Sequence, residues 1–310
     1  MLRRSALAVM LAAPALAQPA RPIRIIVPFP PGGSNDVIAR PLAERMQARL
    51  GQAVVIENRP GAGGSIGAGQ VAQAAPDGLT LMLTSSSFAA SAVVQRTPYD
   101  AIRSFDTVSV LARAPFVVLT HPDFPPRDVA ALIAHAKANP GRVDFGSSGP
   151  GGINHFVTEL FALRAGLRLN HVPYRGMPPA VTDLVAGHIQ MLITTMASAS
   201  GPVRDGRVRL LAYTAPGGAP GVPIVREATG LDYEAEIWWG LLTPKGVAPD
   251  VLRGLNAATR EALAEPEVRR IYEAEGARPA PTSPEEFAAS LRADIARFQE
   301  VAQAANIRLE

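Results

Sequence analysis

Two glycine loops and a hydroxyl cluster gather the residues able to do chemistry in this 310-residue chain. In the first loop Pro28-Phe29-Pro30-Pro31-Gly32-Gly33 runs into Ser34, Asn35 and Asp36. Glycine lets backbone approach a ligand closely, Ser, Asn and Asp are helix N-cap types, and the first amides of a helix are unpaired donors at its positive end. That combination suits an anion, so the loop is expected to hold a carboxylate. The second loop, Ser147-Ser148-Gly149-Pro150-Gly151-Gly152-Ile153-Asn154-His155, repeats the wording, with Pro-Gly-Gly-x-Asn ahead of a helix in both. Generic loop chemistry yields such echoes in a chain with 27 glycines and 29 prolines. The sharper reading is that two lobes each aim a helix start at one shared anion. Between the loops, Thr84, Ser85 and Ser86 are hydroxyls able to line a ligand or cap the next helix.

Other candidates each carry a plainer alternative. Arg175, beside Tyr174, could pair a carboxylate through its guanidinium fork, or be an ordinary surface arginine. His155 and Glu159 stand one helical turn apart, a spacing open to proton transfer but more often a helix-surface contact. Trp238 and Trp239 are adjacent on a strand, so one faces the cleft and the other its opposite side, and Trp238 is taken as the ligand-side residue. Thr194 and Thr195 end another strand with neutral hydroxyls.

Catalytic and cofactor signatures are weak. There is no cysteine, and His121, His135, His155, His171 and His188 show no metal-binding H-x-x-x-H spacing. Gly61 and Gly63 begin a G-x-G, but its third glycine would fall at Ile66, and Lys137 and Lys245 lie in no phosphate-binding loop. No cofactor and no metal are expected, and the Pro60 to Gly67 segment reads as a structural turn.

The elements that position these loops read as strand, loop, helix. Ile23 to Val27 is a β-branched run that Pro28, Pro30 and Pro31 forbid to continue, and Ile38, Leu42 and Met46 form a helical stripe after it. Pro41 within that stripe predicts a kinked helix or a late start. Later strands at Ala53–Ile56, Leu79–Thr84, Phe116–Thr120, Val143–Gly146, Leu169–Val172, His188–Ile193 and Val208–Tyr213 alternate with helices, which predicts α/β lobes with largely parallel sheets. The stiff His121 to Pro126 segment and the Glu236 to Leu242 run are the expected crossings between lobes. They make a discontinuous first lobe (22–120 and 238–310), a second lobe (121–237) and a hinge.

Residues 1–17 stand apart: Arg3 and Arg4 precede the apolar run Ala6 to Leu16, and Ala15-Leu16-Ala17 is a cleavage signature, so a signal peptide and a mature start near Gln18 are expected. The net charge of +3 becomes +1 without Arg3 and Arg4, and nothing in the composition favours nucleic acid.

Taken together, Arg21-Pro22-Ile23, the Pro28 to Asp36 loop, Glu57-Asn58-Arg59-Pro60-Gly61-Ala62-Gly63-Gly64, Ala75-Pro76-Asp77-Gly78, His171-Val172-Pro173-Tyr174-Arg175-Gly176 and Trp239-Gly240-Leu241-Leu242 resemble the Bug family. These are periplasmic receptors of tripartite tricarboxylate transporters (TctC-like). The resemblance implies a two-lobe, type II periplasmic-binding-protein fold of the Venus-flytrap kind, without catalysis. It implies a small carboxylate held by Phe29, Gly33, Ser34, Asn35 and Asp36 against Ser147, Ser148, Gly149, Asn154 and His155, with Thr84 to Ser86 as floor. It also implies delivery, by a monomer in the periplasm, to the membrane components of such a transporter. Many similar receptors carry Asp-Asn where this chain has Thr194-Thr195, which points away from a ligand with an ammonium group. The alternatives are a periplasmic ligand sensor for a signalling receptor and a secreted hydrolase-like enzyme using His155, Glu159 and Ser147 or Ser148.

Overall fold

The computed structural model describes residues 21–304 and Ile307, so the expected signal peptide at 1–17 lies outside the described residues. In chain order the first elements are β1 (Ile23–Val27), α1 (Ser34–Leu50), β2 (Val54–Asn58), α2 (Ser65–Ala72), β3 (Thr80–Ser85) and α3 (Ser87–Val94). The long β4 (Phe105–Thr120) leads to α4 (Val129–Ala138), β5 (Asp144–Ser147), α5 (Ile153–Ala165), β6 (Asn170–Pro173) and α6 (Met177–Ala186). Then come β7 (Met191–Thr195), α7 (Met196–Arg204), β8 (Arg209–Tyr213), α8 (Val225–Thr229) and β9 (Glu236–Pro244). The chain closes with α9 (Pro249–Ala264), α10 (Pro266–Ala274), β10 (Arg278–Pro279) and α11 (Pro284–Ala304).

β4 joins two sheets. Its residues 105–115 pair antiparallel with β9, whereas Phe116 to Thr120 pair antiparallel with β7 and β8. Pro115, which has no amide to give a ladder, stands where the partners change. One sheet therefore contains β2, β1, β3, β9 and β4, and the other β4, β7, β5 and β6, with β8 also on β4. The short strand expected at Phe116–Thr120 is the tail of this longer one. The expectation of largely parallel sheets also fails: β1 with β2 and β3, and β5 with β6 and β7, are parallel, but every pairing of β4 and β9 is antiparallel.

Thr214 ties the two crossings together. Buried completely, its hydroxyl accepts from the Phe116 amide at 2.8 Å and donates to the Ala235 carbonyl at 2.6 Å. The result is a two-lobe α/β molecule hinged where β4 leaves the first sheet.

Helix α1 starts at Ser34 with Pro41 inside it, so the late start is ruled out and the helix forgoes the bond that a Pro41 amide would make. Its apolar stripe, Ile38, Leu42 and Met46, is fully buried. Helix α11 likewise buries Phe287, Leu291 and Phe298, and Ser283 with Glu286 forms a capping box at its start through two reciprocal bonds. Among the described residues no helix is long and apolar enough to cross a membrane.

Candidate functional site

Helices α1 and α5 begin on opposite sides of one cavity. Their N-caps are Gly33 and Gly152, which have no side chain to satisfy the first amides. Among the described residues, the amides of Ser34 and Asn35 on α1, and of Asn154 and His155 on α5, make no hydrogen bond. Each helix thus offers two bare donors at its positive end. Phe29, Pro30, Gly33, Ser34 and Asn35 line the intervening space from one side, and Ser148, Ile153 and Asn154 from the other. Ser85 and Ser87, then Thr194, Thr195 and Ser198, then Met177, Pro178 and Ile237 complete the wall. No Asp, Glu, Lys, Arg or His is among these described lining residues, so the positive potential comes from backbone alone.

Asp36 does not line this space. Its carboxylate accepts from the Gly32 amide at 3.0 Å, from Asn58 Nδ2 at 3.1 Å and from Arg40 at 2.8 and 2.9 Å. Burial pushes its pKa up, but the Arg40 fork, the Gly32 amide and Asn58 outweigh that and hold it below the ordinary value. It is a brace for the first loop. The left-handed residue of that loop is Gly32, at φ +79°, where a side chain would be strained, while Gly33 is extended at φ −80°.

The second loop is braced differently. Ser147 Oγ accepts from the Gly149 amide at 3.2 Å and lies 2.6 Å from His171 Nε2. His155 Nδ1 accepts from the Gly151 amide at 3.2 Å, and its ring stacks on His171 with centroids 4.0 Å apart. Nε2 of His155 lies 3.7 Å from Glu159 Oε1. Burial lowers both rings to about 4, with His171 adding to the effect on His155, so both are neutral near pH 7. Ser147 and His155 therefore shape the loop without lining the cavity. Gly149, at φ +124°, makes its sharp turn.

Several other expected residues are displaced from the cavity. Thr84 is buried in β3, and Ser86 is buried without lining the space; Ser87, the next hydroxyl along, takes that role. Gly149, Tyr174 and Arg175 line a neighbouring outer crevice, which shares Phe29, Pro30 and Ser148 with the inner cavity. The Tyr174 hydroxyl is committed to Asp183 at 2.7 Å. Trp238 points to the back of the hinge, where Nε1 donates to Asp294 at 2.6 Å and the ring meets Phe287 edge-on. Its neighbour Trp239 reaches the front and donates to Ser34 Oγ at 3.4 Å. Gly63-Gly64-Ser65-Ile66-Gly67 also spells the G-x-S-x-G of a nucleophile elbow. Ser65 opens α2 and makes no hydrogen bond to a histidine among the described residues, so no base is placed to activate it.

Sequence reasoning missed Ser87, Ser198, Met177, Pro178, Ile153 and Ile237 as lining residues. Ser198 had a readable signal, standing three residues after Thr195 with their hydroxyls 3.0 Å apart. The lobes also touch in front of the cavity. Ser87 Oγ accepts from the Ile153 amide at 3.4 Å, Ser91 donates to the Gly151 carbonyl at 3.4 Å, and Gln95 Nε2 donates to the Pro150 carbonyl at 3.1 Å. These three residues are spaced by four, a single stripe along α3 and its end.

Two hinged α/β lobes closing on an uncharged, amide-lined cleft are the fold and site of a periplasmic-type solute-binding protein. Residues 38–307 match the family described as tripartite tricarboxylate transporter family receptor, and the chain belongs to that family. It is 38% identical over 298 residues to Protein BugT of Bordetella pertussis, covering 94% of this chain and 91% of that one. Among solved structures, Rpa4515 of R. palustris with adipate superposes with a TM-score of 0.90 at 32% identity, covering 94% of this chain and 99% of that one. MatC from Rhodopseudomonas palustris with bound malate superposes with a TM-score of 0.85 at 30% identity, covering 92% and 99% respectively.

Proposed function

We propose that this protein captures a small organic carboxylate between the starts of α1 and α5 and delivers it, as a periplasmic monomer, to the membrane components of a tripartite tricarboxylate-type transporter. The observation that carries the reading is the free amides at both helix starts, with Ser34 and Asn35 from one lobe and Asn154 from the other lining one uncharged cavity. A carboxylate has about four lone-pair sites, enough to accept from both lobes at once. Its binding would hold the lobes closed, as expected of a receptor that sequesters its cargo. The adipate and malate in the two related structures are consistent with a carboxylate here.

In this reading Phe29, Gly33, Ser34, Asn35, Ser85, Ser148, Asn154 and Thr194 contact the ligand, while Asp36, Ser147, Gly149 and His155 hold the loops in shape. Arg175 sits in the outer crevice, where an exposed guanidinium attracts an incoming anion. In place of the expected bounds 22–120 with 238–310 and 121–237, the reading divides the described residues into 22–115 with 236–304, and 116–235, which the pairing of Phe116 to Thr120 with β7 and β8 supports. Chemistry on the ligand is not part of this function.

Isothermal titration with a panel of small carboxylates tests capture, and uptake by cells carrying the membrane components with and without this protein tests delivery. Saturable binding with uptake that requires the protein is the expected result. Binding without any receptor-dependent uptake would leave a ligand sensor in place of a transport receptor, and absence of binding across the panel would remove the carboxylate reading.

A further inference from the structure

Asn35 and Asn154 occupy the same place on opposed helices, each the second residue of its helix and each lining the cavity. Their amides are used differently. Asn154 Nδ2 donates to the Ile193 carbonyl at 2.9 Å and its Oδ1 accepts from Ser148 Oγ at 3.3 Å, so the group is occupied at both ends by the protein. Asn35 is just as buried, at 5% exposure, yet Oδ1 is shielded with no partner and Nδ2 makes no hydrogen bond among the described residues. A buried primary amide without partners is costly, and structures rarely keep one unless something else completes it. Here the space it lines is the ligand cavity.

We infer that Asn35 reads a hydroxyl next to the ligand's carboxylate, so that the cargo is a 2-hydroxy carboxylate. This rests on the carboxylate reading above and narrows it. A primary amide presents a donor and an acceptor side by side. A 2-hydroxy acid presents the complement on adjacent carbons: carboxylate oxygen accepts from the N–H, and hydroxyl donates to the C=O. A 2-amino acid would bring an ammonium instead, and the uncharged lining has no carboxylate to balance it. An unsubstituted acid would satisfy the N–H and leave the Asn35 carbonyl buried and unpaired. Asn154, saturated by Ile193 and Ser148, is a positioning residue and reads nothing.

The test is titration calorimetry on the full-length mature protein with matched pairs that differ only in the hydroxyl: lactate and propionate, malate and succinate, mandelate and phenylacetate. On every skeleton that binds, the hydroxy acid is expected to be tighter by about tenfold or more, the usual consequence of leaving a buried polar group unpaired. Asn35→Ala should bring that ratio close to one, whereas Asn154→Ala should weaken both members of a pair alike. A melting curve for each variant separates lost folding from lost recognition. Equal affinity within pairs for the parent protein, or a ratio that survives Asn35→Ala in a folded variant, overturns the assignment while leaving carboxylate capture intact. Failure of every acid to bind the parent protein overturns both.

Discussion

Thr214, just after β8, donates to the Ala235 carbonyl at 2.6 Å and accepts from the Phe116 amide at 2.8 Å, so one hydroxyl touches both segments by which the chain leaves and re-enters the first lobe. A single side chain therefore links the crossings just beyond the end of the β4–β9 ladder. Thr214→Val keeps the shape and removes both bonds, leaving a buried amide and a buried carbonyl without this partner. The expected cost is about 1–3 kcal/mol in urea unfolding. Unchanged stability would mean that the crossings are held by the ladders alone.

Asp36 gathers Gly32, Asn58 and Arg40 on one carboxylate. Asp36→Ala should lower stability by roughly 2 kcal/mol and weaken ligand affinity, because the first loop loses the anchor of its left-handed Gly32. The pH effect has a definite sign. The folded pKa lies below the ordinary 3.8, so the contribution is present above that value and disappears as pH falls through the lower folded one. Parent and variant stabilities should therefore converge in acid, which unfolding curves at pH 7 and pH 3 would show.

The stacked pair His155 and His171 works in a higher pH window. Each ring titrates at about 4 in the fold against 6.5 ordinarily, so the unfolded chain takes up protons first as pH falls from 6.5 towards 4. Stability is complete above 6.5 and declines through that interval, by on the order of 2 kcal/mol for the pair after allowance for partial solvation. Glu159, whose pKa burial raises, faces His155 from the same helix. Replacing both histidines with glutamine should flatten the urea midpoint between pH 6.5 and 4.5, and a midpoint already flat in the parent would contradict the assignment.

The adjacent tryptophans give separate optical reports. Trp239 touches Ser34 at the cavity, whereas Trp238 is held by Asp294 behind the hinge. Trp238→Phe should keep most of the fluorescence change on ligand binding, and Trp239→Phe should lose most of it. The reverse pattern would put the ligand behind the hinge.

Much of this was readable from the residues, and the gaps have physical causes. Ile23 to Val27 and the proline break after it marked β1 without ambiguity, and the switch from glycine to Ser34-Asn35-Asp36 marked the start of α1, although the cap itself is Gly33 and not one of those polar residues. The first eleven residues of β4 were not legible, because a strand buried on both faces shows no alternation and Pro115 reads as a breaker. Antiparallel pairing of β4 with β9 joins residues more than a hundred positions apart and leaves no local trace. Alternation could say that Trp238 and Trp239 face opposite ways, but parity was set by pairing with Arg113 and Ala112. Which of Gly32 and Gly33 turns left-handed depends on the Asp36 carboxylate reaching back to the Gly32 amide, a contact that composition does not encode.

The central claim is that one carboxylate bridges the starts of α1 and α5, and amide NMR on deuterated, nitrogen-15-labelled protein tests it most directly. Titration with a carboxylate that binds should shift the backbone amides of Ser34, Asn35, Asn154 and His155 together, with a single shared midpoint. Shifts confined to the amides of one helix, or two distinct midpoints, would contradict it.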